Sequence, residues 1–190
     1  MPIRRPLAVT LGVLALALLG GCGDSRTRRP VVSRIEPPAG FKAVDYLHNA
    51  LHFDAPQNWA IETGSAPLVV TLGSGPAVIA IWRYPRSARQ PLPATPPELE
   101  QARSALLAAA GARDPTFRVI SSSVIVLGNV FGVELDALET VRGQVRRVRS
   151  THLYGGGAEL VVDEFAPEDL FHGVDRSVFS PLLHSVRLVA

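Results

Sequence analysis

Two histidines in the C-terminal half, His152 and His172, lie close in sequence to several carboxylates, the combination that general acid–base catalysis needs. The neighbouring acidic residues are Glu159, Asp163, Glu164 and Glu168. A histidine that is oriented by a carboxylate can accept and return a proton near neutral pH. The cluster therefore suggests an acid–base or cation site. The simpler interpretations are a hydrogen-bonded core or rim histidine for His152 and a solvated strand edge and loop for the carboxylates.

Three other patterns lack part of what their chemistry requires. His48 and His52 share a face in a helix or a strand, but no third metal ligand lies nearby in sequence. Residues 155–157 are glycines without the lysine and hydroxyl of a phosphate-binding loop, and they are interpreted as a hairpin turn. Ser74 lies between two glycines without the G-x-S-x-G spacing of a nucleophile elbow. We therefore assign no catalytic residue, no cofactor-binding residue and no metal ligand.

The N-terminus has the pattern of an export signal. Arg4 and Arg5 precede an apolar run over residues 7–19, which is shorter than the roughly 20 residues that span a bilayer. An uncleaved anchor is the alternative for this run. Twin-arginine export is a second possibility, although Pro6 follows the two arginines at once.

Cys22 is the only cysteine in the chain, so no intramolecular disulfide can form. The preceding residues Leu19, Gly20 and Gly21 resemble the bacterial lipobox, in which one branched apolar residue and two small residues precede the cysteine. The resemblance implies that signal peptidase II removes residues 1–21 and that Cys22 carries a diacylglyceryl group. Two acyl chains anchor a protein stably where one holds only marginally. The lipid would hold the protein on the extracytoplasmic face of the cell membrane.

The remaining composition is that of a nearly neutral globular domain, with 47% hydrophobic and 19% charged residues. Removing Arg4 and Arg5 from the 19 basic residues leaves 17, which equals the 17 acidic residues. No nucleic-acid partner is therefore expected. Residues 22–40 are polar and proline-rich, and they are predicted to form the lipidated cysteine and a flexible tether. The tether's arginines either contact anionic lipid or are solvated.

From residue 41 onward, strand and turn signals alternate around one long helix. Predicted strands cover residues 51–54, 59–62, 68–72, 77–84, 117–120, 124–127, 131–138 and 159–165. The first two strands are expected to form one hairpin and the next two a second hairpin. Asp175 is expected to cap one closing helical turn, and Ser180 with Pro181 to begin another.

The long helix has clear start and stop signals. Thr95 and Glu98 form a capping box around Pro96, and Gly111 is predicted to end the helix. The predicted buried stripe is Leu99, Ala102, Leu106 and Ala110.

A two-residue turn at Arg142 and Gly143 would fix the register of a later hairpin. The predicted cross-strand pairs are Glu139 with Arg146, Asp136 with Arg149, and Val133 with His152. Opposite charges across a ladder stabilise it, so this pairing explains the basic run 144–149 better than a surface for nucleic acid or anionic glycan. The same strand places Ser150 and His152 on one face.

This order of elements predicts an α+β fold with a mainly antiparallel sheet and flanking helices. Residues 51–59 (LHFDAPQNW) and the closing Phe179-x-x-Leu182-x-x-Ser185-x-Arg187 resemble the opening strand-Pro-x-x-Trp element and the closing helix and strand of the PsbP-like family. The resemblance covers residues 41–190. It implies a PsbP-like sandwich, found in small bacterial lipoproteins that include actinobacterial ones. Such proteins act mostly as accessory or partner-binding proteins, and the resemblance brings no catalytic motif.

The sequence therefore predicts a membrane-anchored, non-enzymatic envelope lipoprotein that binds an envelope protein or a small ligand and needs no cofactor. An envelope hydrolase that uses His152 or His172 with a carboxylate is the first alternative. The second is a lipid or glycan carrier, which would need an apolar cavity.

Overall fold

The computed structural model describes residues 34–48, 50–87, 89–141 and 143–189. The predicted signal peptide 1–21 with Leu19, Gly20 and Gly21 lies outside these residues, as do Cys22, the tether up to residue 33, and Arg142 of the predicted turn. Within the described ranges, no helix is long and apolar enough to cross a membrane.

The described chain forms two antiparallel sheets and a set of flanking helices. The strands are β1 (Phe41–Tyr46), β2 (Leu51–Pro56), β3 (Ala60–Thr63), β4 (Leu68–Ser74), β5 (Ala77–Pro85), β6 (Arg118–Leu127), β7 (Val130–Val141), β8 (Gln144–Gly155), β9 (Ala158–Pro167) and β10 (Arg187–Leu188). The helices are α1 (Pro96–Arg113), α2 (Glu168–Val174) and α3 (Ser180–Ser185), and a π-helical turn (Asp175–Phe179) joins the last two.

The larger sheet has seven strands in the order β3-β4-β5-β9-β8-β7-β6, and the smaller has three in the order β1-β2-β10. Strands β6 to β9 follow one another as a meander because short turns connect them. The α+β class with a mainly antiparallel sheet is confirmed.

The two faces of the larger sheet have different coverings. One face packs its aliphatic side chains against α2, α3 and the smaller sheet, and this layer is the main core. Its largest fully buried side chains include Phe53, Leu72, Ile81, Leu160 and Phe179. Helix α1 lies on β6 and β7, and its buried residues are Leu99 and Ala110. Glu98 accepts hydrogen bonds from the backbone of Ala94 and Thr95, so the predicted capping interaction by Glu98 is confirmed.

The first predicted hairpin is wrong. β2 pairs with β1 on one side and with β10 on the other, so both of its edges are taken. β3 instead pairs with β4 in the larger sheet. The turn with Gln57 and Asn58 therefore carries the chain from one sheet to the other.

Three element boundaries also differ from the prediction. β6 is one strand, because Ser121, Ser122 and Ser123 continue the ladder with β7 after a bulge. Helix α1 passes through Gly111 to Arg113, because Gly111 keeps a helical conformation instead of the left-handed one that ends helices. Asp175 lies inside a continuous helical segment and does not cap it.

Residues 35–39, which the sequence assigns to the tether, lie against the domain. Ile35 packs on the core, and the carbonyl of Glu36 accepts the indole N–H of Trp59 at 3.0 Å. The Asn58 side chain donates to the Pro37 carbonyl and accepts from the Ala39 amide. These contacts make this stretch part of the folded domain.

Candidate functional site

A cleft of about 700 Å³ lies between α1 and the sheet face opposite the main core. Its volume is within the range of small-molecule sites, about 300–1,000 Å³. The cleft exists because α1 covers β6 and β7, while β5, β8 and β9 continue beside it. We refer to it as the sheet–helix cleft.

The floor of the cleft follows from strand alternation, since every second side chain points to this face. The strands supply Trp82, Tyr84, Leu135, Ala137, Glu139, Val148, Ser150, His152, Glu159, Val161, Asp163 and Phe165. Helix α1 supplies Leu106, Ala109, Ala110 and Arg113, and Arg86 and Phe117 complete the wall. The lining therefore mixes aromatic and aliphatic surface with ionisable groups.

A hydrogen-bonded chain of side chains crosses the floor. His152 Nδ1 lies 2.8 Å from Glu159 Oε1, and His152 Nε2 lies 3.2 Å from Ser150 Oγ. The Ser150 hydroxyl donates to Asp163 Oδ1 at 2.6 Å. Arg86 binds the other oxygen of Glu159. Adjacent strands hold these groups, because Ser150 lies directly opposite Asp163 in the β8–β9 ladder.

The hydroxyl proton of Ser150 can serve only one partner at a time. Since the hydroxyl is donated to Asp163, Ser150 Oγ is left to act as an acceptor toward His152 Nε2. Ser150 therefore links Asp163 and His152 in one chain of hydrogen bonds.

The protein shifts the pKa values of the ionisable groups in the cleft in different directions. Burial raises the pKa of Asp163, and the Ser150 hydrogen bond only partly offsets this effect. Burial also raises the pKa of Glu139 and of Tyr84. Burial alone would raise the pKa of Glu159, but the hydrogen bonds from His152 and Arg86 lower it below its ordinary value. The surroundings thus shift the pKa values of Glu159 and Asp163 in opposite directions.

Ser150, His152 and Glu159 are arranged like the three groups of a hydrolytic triad, but the surroundings do not suit a nucleophile. Ser150 lies in mid-strand, between ladder partners Leu135 and Asp163. Neighbouring backbone N–H groups are therefore engaged in the sheet and do not form an oxyanion hole. The short bond to Asp163 also directs the hydroxyl proton away from His152. The arrangement is better suited to holding polar ligand groups.

The predicted acidic cluster is divided between the two faces of the sheet. Glu159 and Asp163 lie in the cleft with His152, whereas Glu164 lies on the opposite face beside Arg149. Glu168 and His172 are exposed on α2. Of the two histidines predicted as acid–base candidates, His152 faces the cleft and His172 does not.

The weaker sequence patterns have structural roles. His52 binds Asp45 across the β1–β2 ladder, and His48 lies in the turn between these strands. The described residues contain no cluster of three metal-ligating side chains. Ser74 Oγ accepts the Glu36 amide at 2.8 Å. Gly156 and Gly157 have positive φ values of 56° and 68°, as a tight hairpin turn requires.

The predicted β7–β8 register is confirmed in all three pairs, but the expected ion pairs are wrong. Asp136 binds Arg147 instead of Arg149, which lies directly opposite it in the ladder. Arg149 binds Glu164 on β9 and Asp175 in the helical segment. Glu139 lies 3.5 Å from Arg113 of α1, and Arg146 donates to a backbone carbonyl. Groups from other layers compete for these side chains, which a hairpin alone cannot show.

The cleft includes residues that the sequence did not mark as candidates, among them Trp82, Tyr84, Arg86 and Arg113, and Ser150 was placed beside His152 without a role. One usable signal existed for Ser150. A tight turn at residues 155–157 places Ser150 opposite Asp163, since the register follows from the turn. The arginines had no such signal, because their positions depend on where α1 and the preceding loop lie.

No protein-family model and no curated protein matches the chain. Among solved structures, it is similar to the cyanobacterial PsbP protein CyanoP from Synechocystis sp. PCC 6803, with a TM-score of 0.61 and 13% identity over 90% of this chain and 99% of that one. The chain has the PsbP-like fold.

Two further structures share this architecture. LpqN, involved in cell envelope biogenesis of Mycobacterium tuberculosis, superposes with a TM-score of 0.55 at 14% identity over 80% of this chain and 91% of LpqN. The Ran-binding protein Mog1p of Saccharomyces cerevisiae gives 0.52 at 8% identity over 79% of this chain and 96% of Mog1p. At such identities the similarity of the PsbP-like domain to these proteins is one of fold.

Proposed function

We propose that this chain is a bacterial envelope lipoprotein whose PsbP-like domain binds a small ligand in the sheet–helix cleft and catalyses no reaction on it. The cleft carries the proposal, because it combines about 700 Å³ of space with convergent polar groups on a rigid sheet. The fold shared with LpqN, an envelope-biogenesis protein, supports an envelope role. Lipidation at Cys22, after cleavage behind Gly21, would supply the membrane anchor.

The proposal is tested by filling the cleft. Ala109 is an exposed residue of α1 that lines the cleft, whereas its exposed neighbour Ala108 does not line it. Ala109→Trp should block the space, and Ala108→Trp is the matched control. The full-length protein, purified from its own membranes in mild detergent, is examined by native mass spectrometry. A small-molecule adduct is expected on wild type and Ala108→Trp and not on Ala109→Trp. An adduct on all three proteins, or on none, would contradict the proposal.

An ester hydrolase is the second candidate, favoured by the contacts of His152 with Ser150 and Glu159. Under our proposal, wild type, Ser150→Ala and His152→Ala all leave p-nitrophenyl acetate hydrolysis at the buffer rate. Wild-type turnover that Ser150→Ala and His152→Ala abolish, with folding intact by circular dichroism, would establish the hydrolase. Exposed His172→Ala serves as the control.

A lipid carrier fits the cleft poorly. The floor presents Glu159 and Asp163 to the cleft, and an acyl chain over them would displace water without offering these groups any further hydrogen bond.

A further inference from the structure

We propose, resting on the proposed ligand-binding function, that the sheet–helix cleft takes an uncharged polyhydroxylated ligand, such as a neutral sugar. The compensation of charge in the lining, together with its aromatic surface, points to this class.

The ionisable groups of the cleft compensate one another. Arg86 binds Glu159, and Arg113 lies 3.5 Å from Glu139. The remaining acid is Asp163, which has no arginine or lysine within salt-bridge distance among the described residues. The Ser150 hydroxyl links it to His152 by hydrogen bonds. Two arginines thus face three acidic side chains and one histidine, so opposite charges in the lining largely compensate one another.

A charged ligand would disturb this balance. An anion would lie beside three carboxylates, and a cation beside two arginines, so either would add an uncompensated charge to a partly buried site. A neutral ligand avoids this cost. It must still offer both donors and acceptors, since the floor presents carboxylate oxygens and the walls present guanidinium groups. Hydroxyl groups fulfil both roles with the same atom.

The apolar part of the lining suits the carbon skeleton of a sugar ring. Trp82, Tyr84, Phe117 and Phe165 all line the cleft. Aromatic faces carry partial negative charge, so they attract the C–H bonds of a saturated ring. The buried Nε1–H of Trp82 makes no full hydrogen bond among the described residues, although it lies near enough to Asp163 to help lower the pKa of that carboxyl. Leaving such a donor poorly paired is costly, which makes its weak contact with Asp163 important for the shape of the floor.

The experiment compares sugars that are built on the glucose ring but differ in charge. The full-length protein is titrated with glucose, maltose, glucosamine and glucuronate, and binding is followed by ligand-observed NMR. Glucose or maltose should bind at least tenfold more tightly than both glucosamine and glucuronate. Asp163→Asn should weaken that binding about tenfold, whereas Asp169→Asn on the exposed surface of α2 makes the same change of charge and should have no effect.

Two results would overturn the inference: binding of glucosamine or glucuronate as tight as that of glucose, or no binding of either neutral sugar. The cleft-filling variant separates this failure from failure of the proposed function. If Ala109→Trp still removes a native adduct that is not a sugar, the ligand-binding function stands and the sugar assignment falls.

Discussion

The ring of Trp59 meets the ring of Phe179 edge-on, with 6.4 Å between centroids and 87° between planes. Trp59 follows the opening strand β2, and Phe179 lies at the end of the π-helical turn near the C-terminus. The two stretches that carry the sequence resemblance therefore meet in the core. The ring of Phe171 also packs against Phe179, with 5.5 Å between the ring centroids.

Phe179→Ala should destabilise the domain by about 3–5 kcal/mol, because Phe179 is fully buried and its loss leaves a cavity. Phe131→Ala makes the same substitution at a ring that is 42% exposed, and it should cost about 1 kcal/mol or less. Urea unfolding followed by circular dichroism measures both. Equal losses at the two positions would show that the Trp59–Phe179 contact does not organise the core.

Glu164 should make the domain less stable as the pH rises. It is fully buried, and burial raises its pKa from 4.5 to about 7 despite the neighbouring Arg149. The folded state therefore keeps a proton that the unfolded chain releases between these pH values. The stabilisation is complete below about pH 4.5 and is lost as the pH rises through about 7.

This dependence should disappear in Glu164→Gln. Between pH 5 and pH 8 the free energy of unfolding should fall by about 2 kcal/mol less in the variant than in wild type. This difference follows from the size of the pKa shift of Glu164. Exposed Glu62→Gln should keep the wild-type dependence. Identical pH dependence in wild type and Glu164→Gln would show that Glu164 stays ionised with Arg149 throughout this range.

The same substitution should have opposite effects at two glycines. Gly111 lies in α1 with open space where a Cβ would lie, so Gly111→Ala should stabilise by about 0.5–1 kcal/mol. Gly157 also has open space, but its φ is +68°, so Gly157→Ala should destabilise by about 1–2 kcal/mol. Thermal unfolding of both variants beside wild type checks the signs. A loss of stability at Gly111 would mean that the helix does not continue to Arg113.

Cys22→Ala should block lipidation and leave the precursor uncleaved in the membrane fraction. Mass spectrometry of the wild-type N-terminus should find a diacylglyceryl cysteine as the first residue. A signal peptidase II inhibitor should retain the signal peptide on the lipidated wild-type protein, which controls for effects of the substitution. A mature protein that begins at any other residue would refute the lipoprotein assignment.

Local chemistry explains what the sequence predicted well. The capping role of Glu98 and the β4–β5 and β7–β8 hairpins depend on residues close together in the chain. Once a tight turn fixes the register, strand alternation also fixes which side chains share a face. For this reason the placement of Ser150 and His152 on one face was predictable.

The sequence by itself thus determined the α+β class, most strand positions and the facing pairs within the β7–β8 hairpin. Only the tertiary structure decided the partners of β2, the ion pairs of Arg147 and Arg149, and the cleft in which Arg86 and Arg113 meet carboxylates of the sheet. The physical reason is that each of these depends on groups from distant parts of the chain. Packing between layers determines their positions, and no local spacing records it.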